Sequence, residues 1–208
     1  MSESVNKMFA EIAGKYDLMN DILSLGIHHI WKDKLIDLAA AKTGSAILDC
    51  ACGTGDIAFR FNRKVTNSGR VVGIDFTKEM IDIAKDRALQ LNKNIDFQVG
   101  DATDLKFEDN NFDVSSISFG IRNVDSPMRC LREMARVVKP GGKVMVLEFG
   151  QPLFPISPIY NIYSSYIMPA IGKMIAGNED AYTYLPQTAA KFPCREAFIK
   201  LMENSEAF

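Results

Sequence analysis

Residues 47–56, reading Ile-Leu-Asp-Cys-Ala-Cys-Gly-Thr-Gly-Asp, constrain the fold more than any other part of the chain. The apolar run ends in two glycines one residue apart, the pattern by which a buried strand turns sharply into a helix while a ligand approaches bare backbone. Gly53, Gly55 and Ala58 also satisfy the dinucleotide fingerprint G-x-G-x-x-G/A, so the loop alone suits any nucleotide-type cofactor. The carboxylates discriminate. Asp49 lies inside the strand and Asp56 follows the second glycine; both repel a pyrophosphate and attract a cofactor bearing an ammonium and a sulfonium. S-adenosylmethionine is such a cofactor. Asp75, 22 residues after Gly53, fits either ligand, because a carboxylate there accepts hydrogen bonds from ribose hydroxyls. The plain alternative for Asp49 is a strand-end residue satisfied by nearby backbone amides.

Strand and helix patterns alternate from this loop onward. Residues 70–76 predict a second strand, and Thr77 caps a helix in which Met80, Ala84, Ala88 and Leu91 share one side. Residues 95–99 and 112–119 predict the third and fourth strands. Ser126-Pro127 supplies a cap and a first-turn proline for a helix running through Val138. The Lys139-Pro140-Gly141-Gly142 break then leads to a fifth strand over 143–149. Such alternation implies an α/β fold: a doubly wound, mostly parallel sheet with helices on both faces. Ligands of such sheets sit beyond the C-terminal strand ends, which makes neighbours of residues 49–56, Asp75, Asp101 and 118–123.

At 208 residues the chain suits one substantial domain, and 47% hydrophobic with 24% charged residues is a globular composition. A net charge of −2 gives no electrostatic footprint for nucleic acid. Cys50 and Cys52 are spaced C-x-C with no histidine near, and with Cys130 and Cys194 they form no metal or disulfide framework; buried thiols in a reducing compartment are expected. No signal-peptide pattern opens the chain, so a cytoplasmic location is expected.

Residues 4–16 predict an amphipathic helix carrying Val5, Met8, Phe9, Ile12 and Ala13, and a later helix is expected to pack through Ile27, Trp31, Leu35 and Leu38. His28 and His29, the only histidines, point in different directions on a helix, so no shared metal site is expected, although one of them is placed to titrate near neutral pH in a pocket. Residues 151–178 break the rhythm with Pro152, Pro155, Pro158 and Pro169 among many apolar side chains. They are too interrupted for a membrane span. Either they cover the sheet as core, or they form an apolar lid or groove for a greasy substrate or a membrane surface.

At this point the sequence resembles the quinone C-methyltransferases of ubiquinone and menaquinone biosynthesis. Tyr16-Asp17-x-Met19-Asn20-x-x-Leu23-Ser24-x-x-x-His28-x-x-Trp31 is similar to their N-terminal signature. Arg136-Val137-Val138-Lys139-Pro140-Gly141-Gly142-x-Val144-x-x-Leu147-Glu148 resembles their second. Phe119-Gly120-Ile121-Arg122-Asn123-Val124, Tyr182-x-Tyr184-Leu185-Pro186 and Phe192-Pro193 resemble further blocks, so the likeness spans nearly the whole chain. Gly150 and Thr188 stand where the family favours serine. Its members continue beyond the position of Phe208 with two more strands, so a short form with five of seven strands and one sheet edge uncovered is expected.

The resemblance implies a single methyltransferase domain, with an N-terminal helical cap (1–43), a cofactor-binding core (44–150) and a helical lid (151–208). It implies transfer of a methyl group from S-adenosylmethionine to the ring of a polyprenyl quinol such as demethylmenaquinol. Asp49, Gly53, Thr54 and Gly55 would hold the methionine end, Asp75 with Phe76 the ribose side, Asp101 with Ala102 the adenine amine, and Ser118 the other side of the cofactor. Arg122 is the candidate to stabilise the phenolate or order a water, with Asn123 orienting it or bonding a quinol oxygen; a salt bridge to Asp125 or Glu148 is the plain alternative for Arg122. Tyr16, Asn20, His28 and Tyr182 are substrate-side candidates. No metal is implied. Peripheral membrane contact and a homodimer are expected of the apolar segment and open edge. A dinucleotide-dependent oxidoreductase, another small-molecule methyltransferase and a non-catalytic scaffold are the other readings.

Overall fold

A computed structural model describes residues 3–168, 171 and 179–207, without the side chains of 4, 179–183 and 185. Five parallel strands form one sheet in the order β3-β2-β1-β4-β5. They are β1 (Ala46–Cys50), β2 (Arg70–Asp75), β3 (Asp96–Val99), β4 (Phe112–Ser118) and β5 (Val138–Leu147). The order reverses between β1 and β4, and in open α/β sheets the crevice at such a switch point is where ligands bind. Alternation along each strand sends Ile47, Val71 and Val114 to one face and Leu48, Val72 and Ile117 to the other.

The first face is covered by α3 (Ile27–Ala39), α4 (Asp56–Val65) and α5 (Lys78–Gln90), whose Leu35, Ile36, Phe61, Val65, Ile81 and Ala84 fill that core. The second face is covered by α6 (Pro127–Arg136) through Cys130, Leu131 and Met134. Ser126 caps α6 by accepting the Arg129 N–H, with Pro127 in the first turn. After α7 (Ser157–Ile162) and a π-turn (Tyr163–Ile167), α8 (Glu179–Lys191) and α9 (Glu196–Asn204) follow, and Phe198, Leu201 and Met202 of α9 pack on the second core. A third cluster joins Ile12, Met19 and Leu23 from the N-terminal helices to Met168, with Tyr16 and Tyr163 against it. The N-terminal helices thus meet the segment around Tyr163 and Met168.

Several expected boundaries move. The first helix stops at Ile12 (α1, Glu3–Ile12) and restarts as α2 (Tyr16–Ser24) after one 3-10 turn, which turns Tyr16 toward the sheet. α6 ends at Arg136 rather than Val138, because Val138 already pairs with Phe112 and the glycine pair is absorbed as an irregularity in β5. Leu91 lies beyond α5 and is exposed. Of the expected packing stripe of α3 only Leu35 is buried: the buried residues are His28, Lys32, Leu35, Ile36 and Ala39, while Ile27, Trp31 and Leu38 are half-exposed. Buried polar partners draw His28 and Lys32 inward, an effect a hydrophobic period cannot show. Among the described residues β5 pairs with β4 alone.

Gly120 shows how tightly the switch point is built. A Cβ on it would stand 2.5 Å from the Ala51 Cβ, and Phe119 beside it adopts a left-handed φ of 57°. A bulky residue in that region is a strained conformation held by its surroundings. Gly120→Ala is therefore expected to cost about 1–3 kcal/mol, lowering Tm by several degrees in a thermal melt.

Candidate active site

β1 delivers the loop at the switch point. Ala51, Gly53 and Gly55 all take positive φ, and Gly55 at 90° caps α4 where any Cβ would meet Phe97 at 2.7 Å. The Gly53 N–H donates to Asp75 Oδ2 over 2.8 Å, and the Thr77 N–H donates to Asp75 Oδ1 over 2.9 Å, so the carboxylate at the end of β2 locks the loop after β1. Burial pushes the Asp75 carboxyl up despite these bonds.

Two chambers adjoin here. The narrow one is lined by Gly53, Asp75, Phe76, Asp101, Ala102, Ser118 and Asn123 among others. The larger, a cavity of about 800 Å³, is lined by Asp49, Thr54, Asn20, His28, Arg122 and many apolar side chains. Tyr16, Gly53, Ser118 and Phe119 belong to both walls. The fold thus gathers every expected site residue except Gly55, which turns the loop behind the chambers, and Tyr182, whose side chain lies outside the described residues. From the apolar run, Pro169, Met174 and Ile175 also lie outside them.

Asp49 is the most unusual group. It is 1% exposed, its Oδ1 accepts the Ser116 hydroxyl over 2.8 Å, and its Oδ2 has no partner among the described residues. Burial, helped by Asp56 and Asp75, raises its pKa from 3.8 to about 7. Satisfaction by backbone amides is thereby excluded for Oδ2. Ser118 Oγ and Arg122 Nε are also buried without partners among the described residues. Buried polar atoms are nearly always bonded, so orphans on the walls of shared cavities are groups left for an occupant. An unpaired buried carboxylate oxygen suits an ammonium and repels phosphate, so the donor set fits S-adenosylmethionine and not a pyrophosphate.

Asp56 acts on Asp49 through its charge but is not free to take a cationic ligand itself. Lys32 Nζ donates to it over 2.8 Å and Arg60 also pairs with it, holding its pKa near 2 against its own burial. Its charge is spent within the protein.

The histidines depart from expectation as well. Their rings lie 4.0 Å apart, and both Nε2 atoms approach Asp21 Oδ1, at 3.5 Å from His28 and 2.7 Å from His29. The turn at Leu25 and Gly26 folds α2 back so that Asp21 faces the first turn of α3. Arg60 donates to His29 Nδ1, which puts the His29 proton on Nε2 toward Asp21. Ser24 donates to the Asn20 carbonyl and accepts from His28 Nδ1. Burial and Lys32 lower the His28 pKa to about 4, so that ring is neutral near pH 7 rather than titrating there. Cys50, Cys52 and Cys130 are buried thiols as expected, whereas Cys194 is only half-buried, and burial pushes Cys130 up to about 12.

Arg122, on the turn after β4, forms a buried ion pair with Glu148 through Nη1, and the same nitrogen donates to the Phe119 carbonyl over 2.8 Å. Its guanidinium lies 5.2 Å from the Phe149 ring centre, and Phe149 stacks on Phe119 at 4.5 Å. The plain alternative for Arg122 is thus realised with Glu148. Asn123 Oδ1 accepts from the Tyr184 hydroxyl over 3.1 Å. Asp17 accepts the Thr54 hydroxyl and pairs with Arg87, clamping α2 to the glycine loop. Sequence reasoning missed Trp31, Phe149 and Tyr160 in the large cavity. The signal for Trp31 was its place within the N-terminal signature.

Residues 1–207 match the ubiE/COQ5 methyltransferase family. The chain belongs to that family. A relative from Bdellovibrio bacteriovorus, named a ubiquinone/menaquinone biosynthesis C-methyltransferase UbiE, is 49% identical over 99% of this chain and 88% of its own length. One of the same name from Ruegeria sp. is 44% identical over 97% and 81%. A crystal structure of a SAM dependent methyltransferase from Aquifex aeolicus, 23% identical, matches with a TM-score of 0.55 over 60% of this chain and 66% of its own, and so shares the fold. The protein is a methyltransferase whose family implies S-adenosylmethionine, the ligand the orphan carboxylate fits.

Proposed function

We propose that this ubiE/COQ5 family member methylates a ring carbon of a reduced polyprenyl quinone, converting demethylmenaquinol to menaquinol, with the corresponding benzoquinol as a second acceptor. The observation that carries this reading is the pair of adjoining chambers: the orphaned Ser118 oxygen on their shared wall and the orphaned Asp49 oxygen on the larger one suit a cationic cofactor, and the larger is also wide, apolar and entered by Arg122.

The bound cofactor supplies a methyl group on a sulfonium with a good leaving group. Asp49 Oδ2 takes the cofactor's ammonium, Asp75 the ribose hydroxyls and Asp101 the adenine amine. Ser118 Oγ bonds the cofactor from the shared wall. Arg122 faces the quinol oxygen and favours its phenolate, whose proton passes to water; the phenolate raises the electron density of the ring carbon, and the hydrogen that the methyl group displaces there likewise leaves as a proton to water. Arginine stays charged, so it acts as an electrostatic stabiliser and not as a base. Burial pushes the Tyr16 phenol up, so its hydroxyl remains a donor between the chambers. His28, neutral by burial, contributes a ring edge to the quinol wall. Tyr16 and the α1–α2 segment exclude water and hold the reactants close, which supplies much of the remaining acceleration.

Among the described residues no helix is long and apolar enough to cross a membrane. Phe154, Ile159 and Tyr166 are nonetheless strongly exposed beside Ile156 and Tyr160, which line the cavity. We assign this rim to the prenyl tail and to peripheral contact with a bilayer surface; a second copy of the chain is the competing cover, and sedimentation separates it from vesicle flotation.

The deciding experiment supplies labelled S-adenosylmethionine with short-chain demethylmenaquinol and, separately, the unmethylated benzoquinol. Methyl transfer to the naphthoquinol is expected, with a lower kcat/KM for the benzoquinol. Cofactor binding with transfer to neither ring would reject the reading.

A further inference from the structure

We infer that Glu148 is a positioning residue for the methyl transfer: its carboxylate sets the Arg122 guanidinium so that Nε faces the quinol oxygen. The inference rests on the role proposed for Arg122 and adds the residue that makes that role possible. The sequence offers Glu148 only as one of two possible ion-pair partners of Arg122; it lies 26 residues away, just past the end of the neighbouring strand β5.

The carboxylate is itself immobilised. Glu148 Oε1 accepts the Phe149 N–H over 2.8 Å and an Arg122 Nη1 proton, while Oε2 accepts the Arg122 backbone N–H at 3.4 Å. Both side chains of the pair are nearly fully buried, at 4% and 7% exposure. A guanidinium is a planar fork, so two bonds and a ring face determine where its remaining donors point. Nη1 is held by Glu148 and the Phe119 carbonyl, the plane is packed on Phe149, and Nε is left buried without a protein partner. Arg122 and Glu148 both line the large cavity.

The other carboxylates on that wall are otherwise engaged. Asp17 holds Thr54 and Arg87, Asp56 holds Lys32 and Arg60, and Asp49 bonds Ser116 on the cofactor side. Glu148 alone of these four faces Arg122. Its charge balances the arginine before the substrate binds and leaves the buried Nε unengaged for the oxygen that develops charge. That is preorganisation rather than added binding, so its loss should appear in kcat.

The test compares Glu148→Gln, Arg122→Lys and the double variant. The amide has the shape of the carboxylate, but its NH2 must face a backbone N–H, which turns the arginine. Glu148→Gln is expected to lower kcat about a hundredfold, as misplacement by about an ångström does, with quinol KM and cofactor affinity within a fewfold. In the Arg122→Lys background the same change should cost almost nothing more, because the donor it aims is gone. Thermal melts and S-adenosylhomocysteine titration confirm folding, and Glu148→Ala with an intact melt serves if the amide folds poorly. A full hundredfold loss in both backgrounds, or unchanged turnover in Glu148→Gln while Arg122→Lys is impaired, overturns the positioning role alone. Unchanged turnover in Arg122→Lys overturns this inference while leaving Arg122 as an electrostatic stabiliser, because the charge alone would then suffice; unchanged turnover in Arg122→Ala removes the reading of Arg122 itself.

Discussion

Asp49→Asn is expected to weaken S-adenosylmethionine binding by two to three orders of magnitude while raising the melting temperature of the free protein. The binding loss follows from Oδ2: truncating one partner of a buried charge pair costs about 2–5 kcal/mol, and calorimetric titration would read it. The stability gain follows from the same atom. Asp49 has a folded pKa of about 7 against an ordinary 3.8, so its neutral form is the one the fold prefers. Below about pH 4 the group carries no penalty. Between about pH 4 and 7 the folded state holds a proton that the unfolded state has released, so stability falls as pH rises through that window. The asparagine variant should lack this slope while keeping a bond to Ser116. Binding runs the other way: a cationic ligand selects the carboxylate, so affinity rises toward pH 7 with proton release and levels off above it. A variant that binds as the wild type does, or is less stable in the free state, would show that Asp49 serves the loop rather than the ligand.

Arg122→Ala is expected to lower kcat by about 10²–10³ with cofactor affinity nearly unchanged, the size of effect seen when one preorganised donor to a developing negative charge is removed. The alanine also strands Glu148, buried and uncompensated, which costs about 3–5 kcal/mol and lowers the melting temperature by about 10 °C. Assays therefore belong well below the transition. Arg122→Lys separates the two effects, because an ammonium preserves the ion pair with Glu148 but lacks the fork that leaves Nε free. Turnover restored in full by lysine would mean that only the charge of Arg122 matters. Equal loss of cofactor binding and turnover in both variants would make Arg122 a structural residue.

Much of this arrangement was legible in the chain. The glycine loop, the carboxylates at the ends of β1 and β2 and the strand alternation led to a doubly wound sheet with its site at the switch point, and the sheet order places those residues there. Local patterns carry such information because a strand end, a tight turn and a helix start lie within ten residues of one another. The errors came where long-range partners outweighed local pattern. The face of α3 was misread because Lys32 is drawn inward by Asp56, 24 residues on, leaving Trp31 for the cavity. The two histidines converge because a turn returns Asp21 to them.

The sequence by itself determined the fold class, the location of the cofactor loop and, through the carboxylates in and near it, the sign of the charge it accepts. Hydrophobic period and glycine spacing are short-range properties of a polymer, readable without its neighbours. Only the tertiary structure decided which carboxylates are available: Asp56 is neutralised by Lys32 and Arg60, while Asp49 keeps an unpaired oxygen. It also decided that Arg122 answers to Glu148, and that the N-terminal helices close with Met168 over a cavity wide enough for a second reactant. Solvation and pairing depend on what surrounds a group in space, and burial sets both only once the chain has folded.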